Sequence, residues 1–197
     1  MWTEVERRLK HLPRRRMGEG RPQAGVLIAI TRNESEPHLI LTQRASTLST
    51  HGGEVAFPGG KRDPEDDSLL ATALREAEEE IGLSPDAVTV LGIANPVISR
   101  WGLQVTPVIG LVDAEVPLRI NDAEIASVFR VPLSFFMKSR PSRIDEIDLR
   151  GIQAAIPCWH YEGYEIWGLT AYLLAEFLNL AFDAKFALYS TPSNHQK

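Results

Sequence analysis

The sequence predicts an α/β domain in which a β-sheet lies between helices. Three observations support this fold class: β-rich runs lie early and in the middle of the chain, a segment with helical apolar periodicity separates them, and an apolar helical segment lies near the C-terminus. With 197 residues, 44% of them hydrophobic, the chain can bury one core. We therefore predict one domain at 23–185, a basic arm or helix at 1–22 and a tail at 186–197.

The N-terminal arm is predicted to contain a short helix over residues 3–12, which Pro13 ends. Basic side chains are concentrated in this arm, where they either contact an anionic ligand or form a solvated face: Arg7, Arg8, Lys10, Arg14, Arg15 and Arg16. Two β-rich runs follow at 24–31 and 38–44. The polar connection between them contains Asn, Ser and Pro, which is typical of a hairpin, so we expect adjacent strands.

The central helix is predicted over residues 69–81. Its apolar positions recur at spacings of four, three and four residues and form one stripe for packing on a sheet: Leu70, Leu74, Ala77 and Ile81. Three polar residues can cap its start, Asp66, Asp67 or Ser68. Gly82 stands where a left-handed residue ends a helix.

Four further elements complete the predicted sheet and its helical layers. Strands are expected at 88–93 and 105–112, and a short helix, capped by Asn121 or Asp122, at 121–128. The aromatic segment 152–167 is expected to supply more strand pairing, and a longer apolar helix is expected at 169–184.

Composition excludes several classes of function. A net charge of −5 argues against a general nucleic-acid binder, which needs a basic surface. Apolar runs are too short to cross a bilayer and the N-terminus is charged, so we expect no membrane association and a cytoplasmic location. The single cysteine, Cys158, agrees with a reducing compartment and is expected to be a small buried hydrophobe rather than a catalytic thiol.

Three carboxylates of the central helix are candidates for chemistry. Glu76, Glu79 and Glu80 are three and four residues apart, so they share one helix face, broadly opposite the apolar stripe, towards solvent or a cleft. Like charges at this spacing cost about 0.2–0.5 kcal/mol per pair, and only Arg75 lies nearby to offset it. A hard divalent cation, magnesium or manganese, suits such a face. The alternative is a solvated acidic surface.

A glycine loop, Phe57-Pro58-Gly59-Gly60, ends a β-rich run just upstream of the helix. Paired glycines allow backbone amides or carbonyls to approach a ligand that side chains would block, so the loop is a candidate phosphate or metal contact. A plain turn between strand and loop is the alternative.

Together these residues resemble the Nudix box: Gly60, an acid at Asp66 or Asp67, and then Arg75 to Leu83. Asp66 has the family's five-residue gap from Gly60 and Asp67 its seven-residue gap to Arg75, so which acid pairs with Arg75 stays open. The resemblance implies a Nudix α/β/α sandwich with a mixed sheet. It also implies metal binding by Glu76 and Glu80, by Glu79 directly or through water, and by a carbonyl of the Gly59-Gly60 loop, with Arg75 orienting the helix.

An upstream signature is similar to that of the coenzyme A pyrophosphatases. It comprises residues 41–45, Gly53 and the glycine loop, although Ser49 stands where a second basic residue is usual. The resemblance implies that coenzyme A is cleaved to phosphopantetheine and adenosine 3′,5′-bisphosphate. Arg44 would contact phosphates and Glu79 or Glu124 would act as general base.

Two alternatives remain open at this point. One keeps the site and changes the substrate to ADP-ribose, a dinucleoside polyphosphate or a damaged nucleotide. The other is a noncatalytic nucleotide sensor, although all three box carboxylates are present. Family analogy leaves a homodimer open as well.

Overall fold

The computed structural model describes the chain except residues 16, 19, 34, 48–50, 150–151 and 190–197. Arg16, Ser49 and most of the predicted tail therefore lie outside the described residues. The helices are α1 (Trp2–Lys10), α2 (Leu69–Ile81), α3 (Leu133–Lys138) and α4 (Gly168–Phe182), and a 3-10 turn spans Pro85–Ala87. The strands are β1 (Gln23–Thr31), β2 (His38–Arg44), β3 (Val55–Ala56), β4 (Gly59–Lys61), β5 (Thr89–Ile93), β6 (Val97–Ile98), β7 (Gln104–Val112), β8 (Ile125–Pro132), β9 (Arg143–Leu149), β10 (Ile152–Tyr161) and β11 (Tyr164–Ile166).

A mixed sheet forms the centre of the molecule. Among the described residues it runs in the order β3-β2-β1-β7-β5, with β4 paired to β1, β6 to β7 and β8 to β2. Strands β1 and β7 are parallel from Gln23↔Gln104 to Thr31↔Val112, and the other pairs are antiparallel. One edge of β1 is shared, because β4 pairs with its first half and β2 with its second. The glycine loop lies where these two partners diverge.

Helices cover both faces of this sheet, which confirms the predicted α/β/α sandwich. In β1, Leu27 and Ala29 pack in the cluster that contains Ala77 of α2, whereas Ile28 and Ile30 pack in the cluster that contains α4. Such alternation follows from the two-residue period of a strand. Because the apolar stripe of α2 packs on the sheet, the carboxylates lie on the other side of the helix.

Helix α2 has the predicted bounds and both predicted ends. Ser68 Oγ accepts a hydrogen bond from Ala71 N at 3.1 Å, so Ser68 is the cap, and Gly82 has a φ of 66°. The helix lies directly on β1 at Gly25, where an added Cβ would be 2.4 Å from the carbonyl oxygen of Leu69. This close approach, which periodicity does not reveal, sets the height of α2 above the sheet.

The N-terminal helix packs on the domain rather than projecting from it. Val5 and Leu9 of α1 are buried in the core next to α4. Three arginines of the basic cluster form ion pairs: Arg7 with Glu4, Arg8 with Glu4 and Asp183, and Arg15 with Glu176. Within the described residues, no helix combines the length and apolar character that crossing a bilayer requires.

The predicted helix at 121–128 is wrong. Asn121 does start a turn, in which its Oδ1 accepts from Ala123 N at 3.2 Å, but strand β8 begins at Ile125. That strand pairs with β2 from Arg44↔Ile125 to His38↔Pro132. A helix this short gains few backbone hydrogen bonds. The β-branched residues of this segment favour an extended backbone, which forms a hydrogen-bonded ladder along the open edge of β2.

A second, antiparallel sheet accounts for the aromatic segment. Strand β10 pairs with both β9 and β11, and it packs against α4. The prediction of further strand pairing at 152–167 is confirmed, but this pairing lies outside the main sheet. Strand β9 was not predicted.

Candidate active site

Arg75 and Asp66 form the base of the site. Arg75 Nε and Nη2 donate to the two carboxylate oxygens of Asp66, each at 3.0 Å. Asp66 also accepts from Thr72 Oγ1 at 2.9 Å and from the Asp63 amide at 3.0 Å, and it is only 7% exposed. The hydrogen bonds from Arg75 hold the pKa of the Asp66 carboxyl well below its ordinary value. Asp66 is therefore the partner of Arg75, and Asp67 is the extra residue on the exposed side.

Glu80 is buried under the glycine loop and is only 2% exposed. Its Oε2 accepts from the Gly59 amide at 3.0 Å, and its Oε1 lies 3.2 Å from Nη1 of Arg44. Burial raises the pKa of the Glu80 carboxyl to about 7, although the Gly59 amide and Arg44 act in the opposite direction. The prediction that all three acids face solvent or a cleft is therefore wrong for Glu80, because the loop covers it.

Glu76 packs against the second glycine of the loop. A Cβ added to Gly60 would lie 2.4 Å from the carboxyl carbon of Glu76. The Glu76 side chain is mostly buried, which raises its pKa, and its Oε1 lies 3.1 Å from Nη1 of Arg75. Gly60 thus makes room for a carboxylate, a role distinct from the ligand approach that the sequence suggested.

Gly59 lets the start of β4 lie close against the backbone of β1. Its φ is 154°, and an added Cβ would lie 2.4 Å from the carbonyl oxygen of Gly25. Pro58 O accepts from the amide of Leu27 at 2.8 Å, which holds the loop against the edge of β1. The Gly59 amide is consequently directed at Glu80.

Glu79 and Glu124 lie at the open side of the cluster. The Glu79 side chain is 55% exposed and its Oε2 lies 3.0 Å from Nη1 of Arg75. Glu124 belongs to the turn before β8, and its backbone oxygen accepts from Ala45 N at 2.8 Å. The charge of Glu124 contributes to the raised pKa values of both Glu76 and Glu80, so the fold brings it to the same cluster.

Arg44 ends strand β2 at an irregularity in its pairing with β8. Its amide donates to Glu54 O and its carbonyl accepts from Gly53 N, both at 3.0 Å, so the loop between Arg44 and Gly53 is closed at its base. The guanidinium forms an ion pair with buried Glu80. Arg44 is itself only 24% exposed, so its charge lies beside the buried carboxylate and not on an open surface.

The cluster contains more negative than positive charge. Four carboxylates (Glu76, Glu79, Glu80 and Glu124) gather here, and Arg75 is largely engaged by Asp66. The donor atoms are all oxygens, partly buried and partly open to solvent, which suits a hard divalent cation. Sequence reasoning found these acids but missed the contribution of Thr72 and the close approach at Gly25.

The fold and this cluster agree with the comparisons to known proteins. A NUDIX domain model matches residues 21–146, and the chain belongs to the Nudix hydrolase family. It is 43% identical over 154 residues to a protein of Cronobacter sakazakii named "Uncharacterized Nudix hydrolase NudL", covering 78% of this chain and 80% of that protein. The protein of the same name from Photorhabdus laumondii is 41% identical over 162 residues, covering 82% and 86%. The crystal structure of RenU, a Nudix hydrolase from M. Smegmatis, is 25% identical with a TM-score of 0.50, covering 60% of this chain and 74% of RenU.

The Asp66 pair yields a first testable prediction. Asp66→Asn removes the charge that holds Arg75 and leaves unmatched donors, so we expect a loss of about 1–3 kcal/mol in the free energy of unfolding. Because the pKa of Asp66 is lowered, its contribution is present above about pH 4 and is lost as the pH falls towards the folded-state value. Urea unfolding should therefore show a difference from wild type that shrinks below pH 4. Exposed Asp67→Asn is the matched control, and an equal loss in both variants would contradict the assignment.

Proposed function

We propose that this chain hydrolyses the pyrophosphate bond of coenzyme A or its derivatives. The products would be 4′-phosphopantetheine, or its acyl form, and adenosine 3′,5′-bisphosphate. One observation carries the proposal beyond the family. Arg44, which belongs to the segment that resembles the coenzyme A pyrophosphatases, has its guanidinium 3.2 Å from buried Glu80 and so stands at the acidic cluster. A diphosphate brought to that cluster would meet a fixed positive charge.

Glu76, Glu79 and Glu80 would hold magnesium or manganese. The fit rests on the donor set, since the three carboxylates supply oxygens only and one of them is shielded from water by the glycine loop. When bound, the metal neutralises the pyrophosphate and lowers the pKa of a coordinated water.

The protein's own groups position this chemistry. Asp66 fixes Arg75, which in turn lies against Glu76 and Glu79, so the carboxylates are held in place before substrate binds. The Gly59 amide orients Glu80. Arg44 would bind the phosphates, and Glu79 or Glu124, both on the open side, would accept the proton of the attacking water.

Mass analysis of the products tests the proposed function. The purified chain is incubated with coenzyme A, ADP-ribose and a dinucleoside polyphosphate, each with and without magnesium or manganese. Metal-dependent formation of adenosine 3′,5′-bisphosphate from coenzyme A, faster than turnover of the other two, supports the proposal. Preferential turnover of ADP-ribose or the polyphosphate would show that this compound, and not coenzyme A, is the substrate. The reaction would still be pyrophosphate hydrolysis. No metal-dependent product from any of the three would favour a noncatalytic sensor.

Arg44→Ala should weaken binding of the diphosphate more than it slows the reaction. Loss of a charge-assisted contact of about 1.5–3 kcal/mol corresponds to a rise in KM of roughly 10- to 100-fold. Steady-state kinetics would measure this rise in KM. Arg32→Ala is the control, because Arg32 follows the last residue of β1 and its guanidinium donates to the hydroxyl of Thr89 on β5. A fall in kcat with an unaltered KM would contradict a phosphate-binding role.

A further inference from the structure

Three potential metal ligands lie together on the second sheet, in a cluster that the proposed reaction does not use. Cys158 and His160 are two residues apart on β10, so their side chains leave the same face of the strand. Glu165 of β11 is directly opposite His160 in the register. Strand pairing alone therefore brings a thiol, an imidazole and a carboxylate to one place.

The distances within this cluster suit a tetrahedral ion. Glu165 Oε1 lies 3.7 Å from Cys158 Sγ and 3.4 Å from His160 Nε2, and one ligand atom from each residue falls within 4.8 Å of the others. A tetrahedral zinc ion with typical bond lengths separates sulfur from oxygen by about 3.5 Å and nitrogen from oxygen by about 3.3 Å. We propose that Cys158, His160 and Glu165 form a binding site for zinc or a similar borderline-soft transition metal.

The surroundings of the cluster prepare these ligands. His160 Nδ1 lies 3.1 Å from Ser142 Oγ, which orients the ring so that Nε2 faces Glu165. Metal-bound histidines characteristically use their second nitrogen in this way. Arg143, opposite Cys158 in the register, is ion-paired with Asp145 and with Glu165 Oε1, so a bound ion would displace its guanidinium from that oxygen while Asp145 keeps it paired. When Cys158 is a thiolate, its charge and those of Asp145, Glu165 and Arg143 give a net charge of −2, which a divalent ion neutralises.

Thiolate and imidazole ligands distinguish this site from the acidic helix. Soft sulfur disfavours magnesium, whereas the all-oxygen set at Glu76 and Glu80 favours it. Cys158 is buried and the His160 side chain is 53% exposed, so the ion can enter from the solvent side and a water can complete its coordination. Binding releases the thiol proton. The ion would tie β10 to β11, next to Tyr164, whose ring stacks on Phe129 of β8 at 3.7 Å.

Metal titration of the full chain tests this site. The protein is freed of metal, kept in millimolar magnesium, and titrated with zinc in competition with a colorimetric chelator. We expect one zinc per chain, and a melting temperature higher by roughly 5–10 °C at about a hundred times the dissociation constant. Cobalt in place of zinc should show a thiolate-to-cobalt charge-transfer absorption. Absence of that band would overturn the assignment of Cys158.

Variants separate this site from the acidic helix. His160→Ala, Glu165→Gln and Cys158→Ser should each weaken zinc binding at least tenfold, and His160 is exposed enough to be replaced without disturbing the core if Cys158→Ser fails to fold. Glu162→Gln, in the adjacent turn, is the matched control and should bind zinc as wild type does. Loss of zinc in Glu80→Gln with normal binding in His160→Ala would overturn the proposal. Because the readout is zinc binding, its failure is distinct from failure of the proposed hydrolysis.

Discussion

Glu80→Gln is expected to lower kcat for the diphosphate substrate by about a thousandfold or more. The variant removes one charged oxygen ligand, and a bound metal contributes several kcal/mol of charge stabilisation to the transition state. The amide keeps the size of the side chain, so the interior beneath the glycine loop stays filled. Circular dichroism and a melting temperature within a few degrees of wild type should show that the fold persists.

Glu78→Gln is the control for this experiment. Glu78 lies on the same helix and is exposed, and at about 100° per residue it leaves the helix on the side opposite Glu76 and Glu80. Its replacement should leave kcat and KM within about twofold of wild type. Comparable losses in the two variants would mean that activity depends on the overall negative charge of α2 and not on one particular carboxylate. Unchanged turnover in Glu80→Gln would remove Glu80 from the metal site.

Gly60→Ala should reduce activity by about a hundredfold with little loss of stability. The new methyl group would overlap the Glu76 carboxyl group, with 2.4 Å between the two carbons, and this end of a flexible side chain can move aside. The free energy of unfolding should fall by about 1 kcal/mol or less, whereas a displacement of about 1 Å at a reacting centre can cost a factor of a hundred. Manganese titration alongside the kinetics would show weaker metal binding.

Gly59→Ala, in contrast to Gly60→Ala, should cause a large loss of stability. In Gly59→Ala the methyl group meets the backbone of Gly25 at 2.4 Å, which cannot rotate away, and the φ of 154° disfavours any side chain. We expect a loss of about 3 kcal/mol in the free energy of unfolding. Urea unfolding of the two variants gives the comparison directly. Equal stability losses would show that Gly60, too, is required for the backbone path.

The central helix shows how far local rules extend. Apolar periodicity, the Ser68 cap and the left-handed Gly82 are all encoded within fifteen residues, so the bounds of α2 follow from sequence. The alignment of Glu76, Glu79 and Glu80 on one helix follows for the same reason. Strands β1, β2, β5 and β7 were likewise predicted to within a residue, because their β-rich runs end at clear turn signals.

Non-local contacts account for the errors. Residues 121–128 carry a genuine turn signal, but whether the chain continues as a helix depends on the open edge of β2, which is about eighty residues away in sequence. In strand β9 the adjacent acids Asp145 and Glu146 interrupt the alternation of charged and apolar residues that predicts a strand, so only its partner β10 identifies it. In both cases a neighbouring strand supplies the hydrogen bonds that decide the structure.

The sequence by itself determined the family-defining helix, its carboxylates and the order of most elements, because each depends on residues a few positions apart. Only the tertiary structure decided that Asp66 rather than Asp67 holds Arg75, since the Thr72 hydroxyl and the Asp63 amide converge on Asp66 alone. It likewise decided that Glu80 is buried. A helical period gives the direction of a side chain from its own axis, but the covering loop and the guanidinium of Arg44 arrive from other strands.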